Sequence, residues 1–218
     1  MQTAVIAGYT GLVGSHLLPL LLADGQYERV IAVGRRAPQI EHARLHYQAV
    51  DFNQLHLDTD KVDVVYCCLG TTMRKAGSRE QFRLVDFQYP LNLAEACLVL
   101  GARQFVLVSS MGADKQSVFF YNRVKGEAEE AVTSLGYLRT DICRPSILLG
   151  ASQESRPAEQ AGKLLMQAFS WLMWGPWRHY RPIRAATVAQ AMCCYGRQEG
   201  SGVYVHLSDE LKKDSRCE

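Results

Sequence analysis

The chain has 218 residues, 48% of them hydrophobic and 21% charged, with a formal net charge of +2. That length suits one compact domain, and the balance supplies apolar material for one large core. A charge this near neutral, carried by scattered Lys and Arg, argues against nucleic acid or an anionic membrane as partner.

In chain order, residues 3–7 form a short apolar run bounded by Gly8, the pattern of a buried parallel strand. Residues 12–23 read as a helix stopped by Asp24-Gly25, and Pro19 inside it predicts a kink or irregular turn. Strands are expected over 29–33, 45–50 and 62–69. A helix over 79–100 is expected to break near Pro90 and to stop at Gly101. A strand over 105–109, a helix over 121–134 and a strand over 139–148 follow. Beyond Gly150 the pattern weakens into helices over 158–174 and 187–197 and a last strand over 202–207. Strands alternating with helices imply βαβ crossovers and a parallel sheet.

Gly8-Tyr9-Thr10-Gly11-Leu12-Val13-Gly14 lies where the first strand ends and the first helix opens. Glycines at that place let the backbone turn tightly and approach a pyrophosphate, whose charge is stabilised at a helix N-terminus. The fold class expected is therefore α/β, a Rossmann-type doubly wound parallel sheet. A single NAD(P)-binding domain is expected over residues 1–218, with 151–218 as a small C-terminal elaboration on the substrate side. At the carboxyl end of the second strand the sequence reads Val33-Gly34-Arg35-Arg36, with no carboxylate to hold a ribose diol. Two guanidinium groups suit a 2′-phosphate, so the expected cofactor is NADP(H). One charge-assisted hydrogen bond of about 1.5–3 kcal/mol would favour NADPH over NADH by roughly 10- to 100-fold. Asp51-Phe52, closing the third strand, offers an acceptor for the adenine amino group and a ring to pack beside it, although Asp there is also a common turn cap.

Tyr121 and Lys125 stand at i and i+4 on one helix face, behind a strand tipped by Ser109-Ser110. A nearby ammonium stabilises phenolate, which suits a tyrosine that exchanges the proton accompanying hydride transfer. Lys125 would also hold the nicotinamide ribose, and a serine hydroxyl would orient a carbonyl. Ser110 is preferred over Ser109 because it lies further past the strand; the choice between them stays open.

Together these residues resemble the short-chain dehydrogenase/reductase superfamily in its atypical, nucleotide-sugar-epimerase-like branch, and more closely the Tat-interactive-protein-like oxidoreductases. The resemblance rests on Gly8–Gly14, Val33–Arg36, Cys68–Thr72 with Lys75-Ala76-Gly77, Ser109-Ser110 with Gly112–Lys115, the Tyr121/Lys125 helix, Arg144-Pro145 and Glu154–Pro157. It implies NADP(H) bound by the glycine turn, by Arg35 and by the strand end at Leu69, Gly70, Thr71 and Thr72, and a Ser–Tyr–Lys catalytic set. The superfamily often carries Asn where Val85-Asp86 falls, which puts a four-member proton relay in doubt. The gap from Ser110 to Tyr121 is also shorter than usual.

Phe169, Trp171, Leu172, Met173, Trp174 and Trp177 crowd one segment, as a substrate wall or as ordinary core. Arg178, His179, Arg181 and Arg184 follow, either meeting an anionic substrate or forming a solvated basic rim. The histidines show no metal-ligand spacing, so no metal is expected. The seven cysteines include two adjacent pairs and no Cys-x-x-Cys, which predicts reduced, mostly buried thiols. No basic n-region precedes the first apolar run, and no apolar stretch reaches the roughly 18 residues of a membrane helix. Those features predict a cytoplasmic protein. The expected activity is NADPH-dependent reduction of a small carbonyl compound. The alternative is an NADPH-binding regulatory protein with little turnover. A nucleotide-sugar epimerase or dehydratase fits less well, with only about 68 residues (218 − 150) after Gly150 to build a substrate domain. Homodimerisation and a protein partner both stay open.

Overall fold

The computed structural model describes residues 2–150 and 181–216. Seven parallel strands form one sheet in the order β3-β2-β1-β4-β5-β6-β9. They are β1 (Gln2–Ala7), β2 (Tyr27–Gly34), β3 (Leu45–Ala49), β4 (Val64–Cys67), β5 (Gln104–Val108), β6 (Arg139–Arg144) and β9 (Gly202–Leu207). The first six follow the 3-2-1-4-5-6 order of dinucleotide-binding sheets. The strand order reverses between β1 and β4, which opens a crevice at their carboxyl ends. A separate pair, β7 (Leu148–Leu149) with β8 (Ile183–Arg184), lies outside the main sheet.

The central strands β1, β4 and β5 are mostly apolar and buried because both of their faces are covered, whereas the edge strands β3 and β9 are largely exposed. Ala4 and Ile6 of β1 point to one side, among α1 (Gly14–Ala23) and α6 (Ala185–Tyr195). Val5 and Ala7 point to the other, among α4 (Tyr89–Val99) and α5 (Phe120–Ser134). Each face forms its own buried core, so the sheet is wound on both sides.

Several elements differ from the sequence reading. Helix α1 spans Pro19 without a break. Pro19 and Ser15, whose carbonyl loses its partner, are both exposed, so water reaches the freed oxygen. The helix expected over 79–100 is three pieces: α3 (Arg79–Arg83), a π-helical turn (Leu84–Gln88) and α4. Pro90 sits in the first turn of α4, where a missing N–H costs little. The expected strand over 139–148 ends at Arg144, ahead of Pro145, and resumes as β7. Two short helices were not anticipated. One is α2 (Met73–Ala76), capped by Thr72 and stopped by Gly77 in the left-handed region at φ 77°. The other is α7 (Ser208–Asp214), where Glu210 accepts from the Leu207 amide at 2.7 Å.

The cysteine expectation is corrected at one position. Cys67, Cys68, Cys97, Cys143 and Cys193 are free, but Cys194 is disulfide-bonded. The expected helix over 158–174, the aromatic segment from Phe169 to Trp177, the Glu154–Pro157 motif, Arg178, His179 and Cys217 lie outside the described residues.

Candidate active site

The glycine turn sits at the switch point and is built by close approach. Gly8 has φ +81°, and a Cβ there would stand 2.3 Å from the Cys68 carbonyl oxygen at the end of β4. A Cβ on Gly14 would stand 2.3 Å from the Gly8 oxygen. Both positions therefore exclude any side chain, and the loop backbone lies directly on the sheet edge. The Gly11 amide donates to the Gly8 oxygen at 2.9 Å, which closes the turn. Thr10 and Gly11 are exposed at the start of α1, and no acid occupies the first turn of that helix. An anion placed there meets unopposed amide dipoles.

Not every residue of the turn presents its side chain outward. Tyr9 and Val13 are buried, at 4% and 5% exposure, so only their backbone faces the crevice. The Tyr9 hydroxyl donates to the Arg36 carbonyl. Gly34 makes room for that ring, since a Cβ there would lie 2.8 Å from the hydroxyl. Burial, with Tyr47 adding to it, pushes the Tyr9 phenol up to about 12, so it stays a neutral donor. This hydrogen bond fixes the end of β2, where Arg35 and Arg36 project into solvent. Among the described residues neither arginine forms a salt bridge.

Asp51 lies two residues beyond β3 rather than at its end. Its Oδ1 accepts from the Asn53 amide and side chain at 2.9 and 2.8 Å, the turn cap that the sequence also allowed. Phe52 differs more. Its ring is buried at 6% exposure and stacks on Tyr89 at 5.3 Å, so it is packed as part of the core.

Helix α5 carries the tyrosine and the lysine. Val124, Ala128 and Val132 recur every fourth residue and are buried, and the neighbouring row of Lys125 and Glu129 is carried inward with them. The Tyr121 ring packs against Phe82 at 5.4 Å. Lys125 has 8% side-chain exposure and pairs with the fully buried Asp86 carboxylate, Nζ to Oδ1 at 2.8 Å. The other oxygen of Asp86 accepts from the Thr71 amide at 2.8 Å. A Cβ on Gly70 would stand 3.3 Å from Asp86 Oδ1 and 3.5 Å from Lys125 Nζ. Burial pulls the Lys125 ammonium down, but Asp86 and then Tyr121 more than offset this, so it is held above the usual lysine range. The sequence marks Asp86 only as a departure from the superfamily's Asn and assigns it no role; the structure shows its partners. The available signal was physical: a lysine buried on the core side of a helix needs an acid, and Asp86 was the unexplained one nearby.

The two serines separate clearly. Ser109 Oγ is buried and hydrogen-bonded to Glu129. Glu129 is in turn held by Arg144, with Nε at 3.0 Å. Ser110 is partly exposed and, among the described residues, makes only a long contact of 3.4 Å to the Met111 carbonyl. The glycine turn, the β4 end from Cys68 to Thr71, and Lys125 with Asp86 thus form one continuous run of contacts along the sheet edge. Gly8, Gly11 and Gly14 make a side-chain-free cradle beside a helix N-terminus, a fit for a dinucleotide pyrophosphate. Among the described residues no cluster of three or more His, Cys, Asp or Glu is arranged to hold a metal.

Comparison with known proteins agrees with this architecture. The chain is 36% identical to Protein HTATIP2 of Rattus norvegicus, over 98% of this chain and 90% of that protein. It is 36% identical to Protein fmp52, mitochondrial, of Aspergillus niger, over 79% and 76% of the two chains. MoeE5 in complex with UDP-glucose and NAD superposes with a TM-score of 0.70 at 18% identity, covering 96% of this chain and 79% of that one. UDP-glucuronic acid 4-epimerase from Bacillus cereus in complex with NAD gives 0.67 at 14%, covering 94% and 78%. At such identities the solved structures establish the fold, an NAD(P)-binding one. The fungal relatives are named mitochondrial, which overturns the cytoplasmic expectation. That expectation rested on the thiol pattern and on the residues before the first apolar run, and neither reads an organelle address. Among the described residues no helix is long and apolar enough to cross a membrane. The sequence matches one family over residues 4–170, and the chain belongs to it: the NAD dependent epimerase/dehydratase family.

Proposed function

We propose that this chain is an NADP(H)-dependent oxidoreductase that reduces a small carbonyl compound, with Tyr121 as proton donor. The observation that carries the reading is Lys125, buried yet held charged beside Tyr121, on the same sheet edge as the glycine cradle. The backbone of Gly8, Tyr9, Thr10, Gly11, Leu12 and Val13 would hold the pyrophosphate. Arg35 and Arg36 would meet a 2′-phosphate, and Asp51 the adenine amino group. Leu69, Gly70, Thr71 and Lys125 would face the nicotinamide ribose. When bound, the dinucleotide supplies a hydride. Tyr121 Oη then gives its proton to the substrate oxygen, a general-acid step whose ring position is set by Phe82. Ser110, free of the Glu129–Arg144 cluster that holds Ser109, donates to the same oxygen and orients it.

Loss of NADPH absorbance against a panel of aldehydes and ketones tests this, with a separate arm in which UDP-glucose and the oxidised cofactor are followed for epimerised sugar. Turnover of at least one carbonyl compound, faster with NADPH than with NADH, is expected. Tight NADPH binding with no substrate consumed would replace the reading by that of a cofactor-sensing protein.

A further inference from the structure

We propose that Asp86 is a positioning residue of this site, joining Lys125 to the strand end at Thr71 so that the two move as one unit. The inference rests on the reductase reading for its purpose, but its geometry stands without turnover. Asp86 is 1% exposed and spends both carboxylate oxygens on the site, one on the Lys125 ammonium and one on the Thr71 amide, each at 2.8 Å. The backbone is shaped for this. Asp86 lies in the π-helical turn Leu84–Gln88, and a π turn re-aims the side chains within it and recurs at functional sites. Gly70 supplies the complementary space, since any side chain there would press on Asp86 and Lys125 together. Three elements distant in sequence therefore meet at one carboxylate.

The arrangement also explains how a buried lysine keeps its charge. The groups facing Lys125 are Asp86 from the π turn, Tyr121 from its own helix and Cys67 from β4. Burial pushes the Cys67 thiol up to about 12, so it stays neutral. Tyr121 is a phenol. Asp86 is thus the group among them that supplies a full negative charge, and it does the work that an asparagine amide at this position would not.

The test uses the full, cofactor-free chain with 13C-labelled lysine. The Lys125 13Cε signal is assigned by its disappearance in Lys125→Arg and titrated with pH. The parent midpoint is expected above the free-lysine value of about 10.4. In Asp86→Asn it is expected to fall by about 1–3 units, the effect of removing an adjacent opposite charge. The Thr71 amide should keep its hydrogen-exchange protection in Asp86→Asn, which still offers an oxygen, and lose it in Asp86→Ala. A parent midpoint at or below the free value, or an unchanged midpoint in folded Asp86→Asn, overturns the proposal. If Asp86→Asn does not fold, the parent titration alone decides. Adding NADPH should shift both the Lys125 and Thr71 signals. Intact titrations without those shifts would sink the cofactor placement and leave the Asp86 linkage standing.

Discussion

Removing the hydroxyl of Tyr121 tests the proposed proton transfer with the least disturbance, because Tyr121→Phe keeps the ring against Phe82. With a confirmed substrate, kcat should fall by about 10²- to 10⁴-fold while the Kd for NADPH barely changes. Parent-like turnover by Tyr121→Phe would remove Tyr121 from the mechanism. Lys125→Ala is a different kind of change. It strands the buried Asp86 carboxylate, so turnover and cofactor affinity should both drop and stability should fall by about 3–5 kcal/mol, read as a lower urea midpoint. Arg35 projects into solvent with no salt bridge among the described residues, so Arg35→Ala should leave the fold intact. It should erase most of a 10- to 100-fold preference for NADPH over NADH in fluorescence titrations. Equal affinities in the parent would end the 2′-phosphate argument. At this scale the sequence revealed Tyr121 and Lys125, because i, i+4 spacing is a local property. It singled out Asp86 only as a departure, because the role of that residue depends on partners from other elements.

Among the elements, the strand–turn–helix unit around Gly8 separates binding from folding. Gly11 is exposed, and its added Cβ would meet the Gly8 oxygen at 3.2 Å and the Cys68 oxygen at 4.0 Å. Gly11→Val should therefore fold and lose NADPH binding, since its branches stand where the pyrophosphate approaches. Gly14→Ala instead places a methyl 2.3 Å from the Gly8 oxygen, so the turn itself must shift, at about 1–3 kcal/mol of overpacking. Thermal melts and NADPH titrations of the two variants should thus move in opposite columns, and parent-like NADPH affinity in folded Gly11→Val would make the turn structural only. The same scale shows where local propensity misled. Pro19 was read as a kink, yet its solvent-facing side tolerates the lost hydrogen bond. Near Pro90 the expected interruption is present: the π turn ends at Gln88 and Pro90 lies in the first turn of α4.

Across the whole molecule, the far side of the sheet is closed by one buried carboxylate. Asp141 on β6 accepts from Arg139 Nε and Nη2 at 2.7 and 2.8 Å and from Gln104 of β5 at 3.1 Å. His206 Nε2 of β9 stands 2.9 Å from its Oδ1. Burial alone would raise the Asp141 carboxyl, but the hydrogen bonds from His206, Arg139 and Gln104 more than offset it and hold the group below its usual range. A depressed folded value stabilises the protein above the unfolded value of about 3.9 and loses that contribution as pH falls through the folded value. Urea midpoints should accordingly decline on acidification from about pH 5 downward. Asp141→Asn should lower the midpoint at pH 7 by the equivalent of about 3–5 kcal/mol, leaving the buried Arg139 without its counter-charge, and should flatten the acid decline. An unaltered acid slope in that variant would show that other carboxylates govern it.

The alternation of apolar runs with helical segments, and a glycine turn opening directly after the first strand, determined from sequence alone that this is a doubly wound parallel sheet with a dinucleotide crevice. Both are short-range signals, set by side-chain period and by backbone freedom at glycine. Tertiary structure decided the rest. The Phe52 ring went to the core because Tyr89 of α4 packs over it, and Ser109 went to Glu129 and Arg144 while Ser110 stayed outside that cluster. The Asp86–Lys125 pair formed because a π turn and a glycine on β4's strand end left room for it. Each of these depends on which elements become neighbours across the sheet, and burial then forces a polar group to find its partner there.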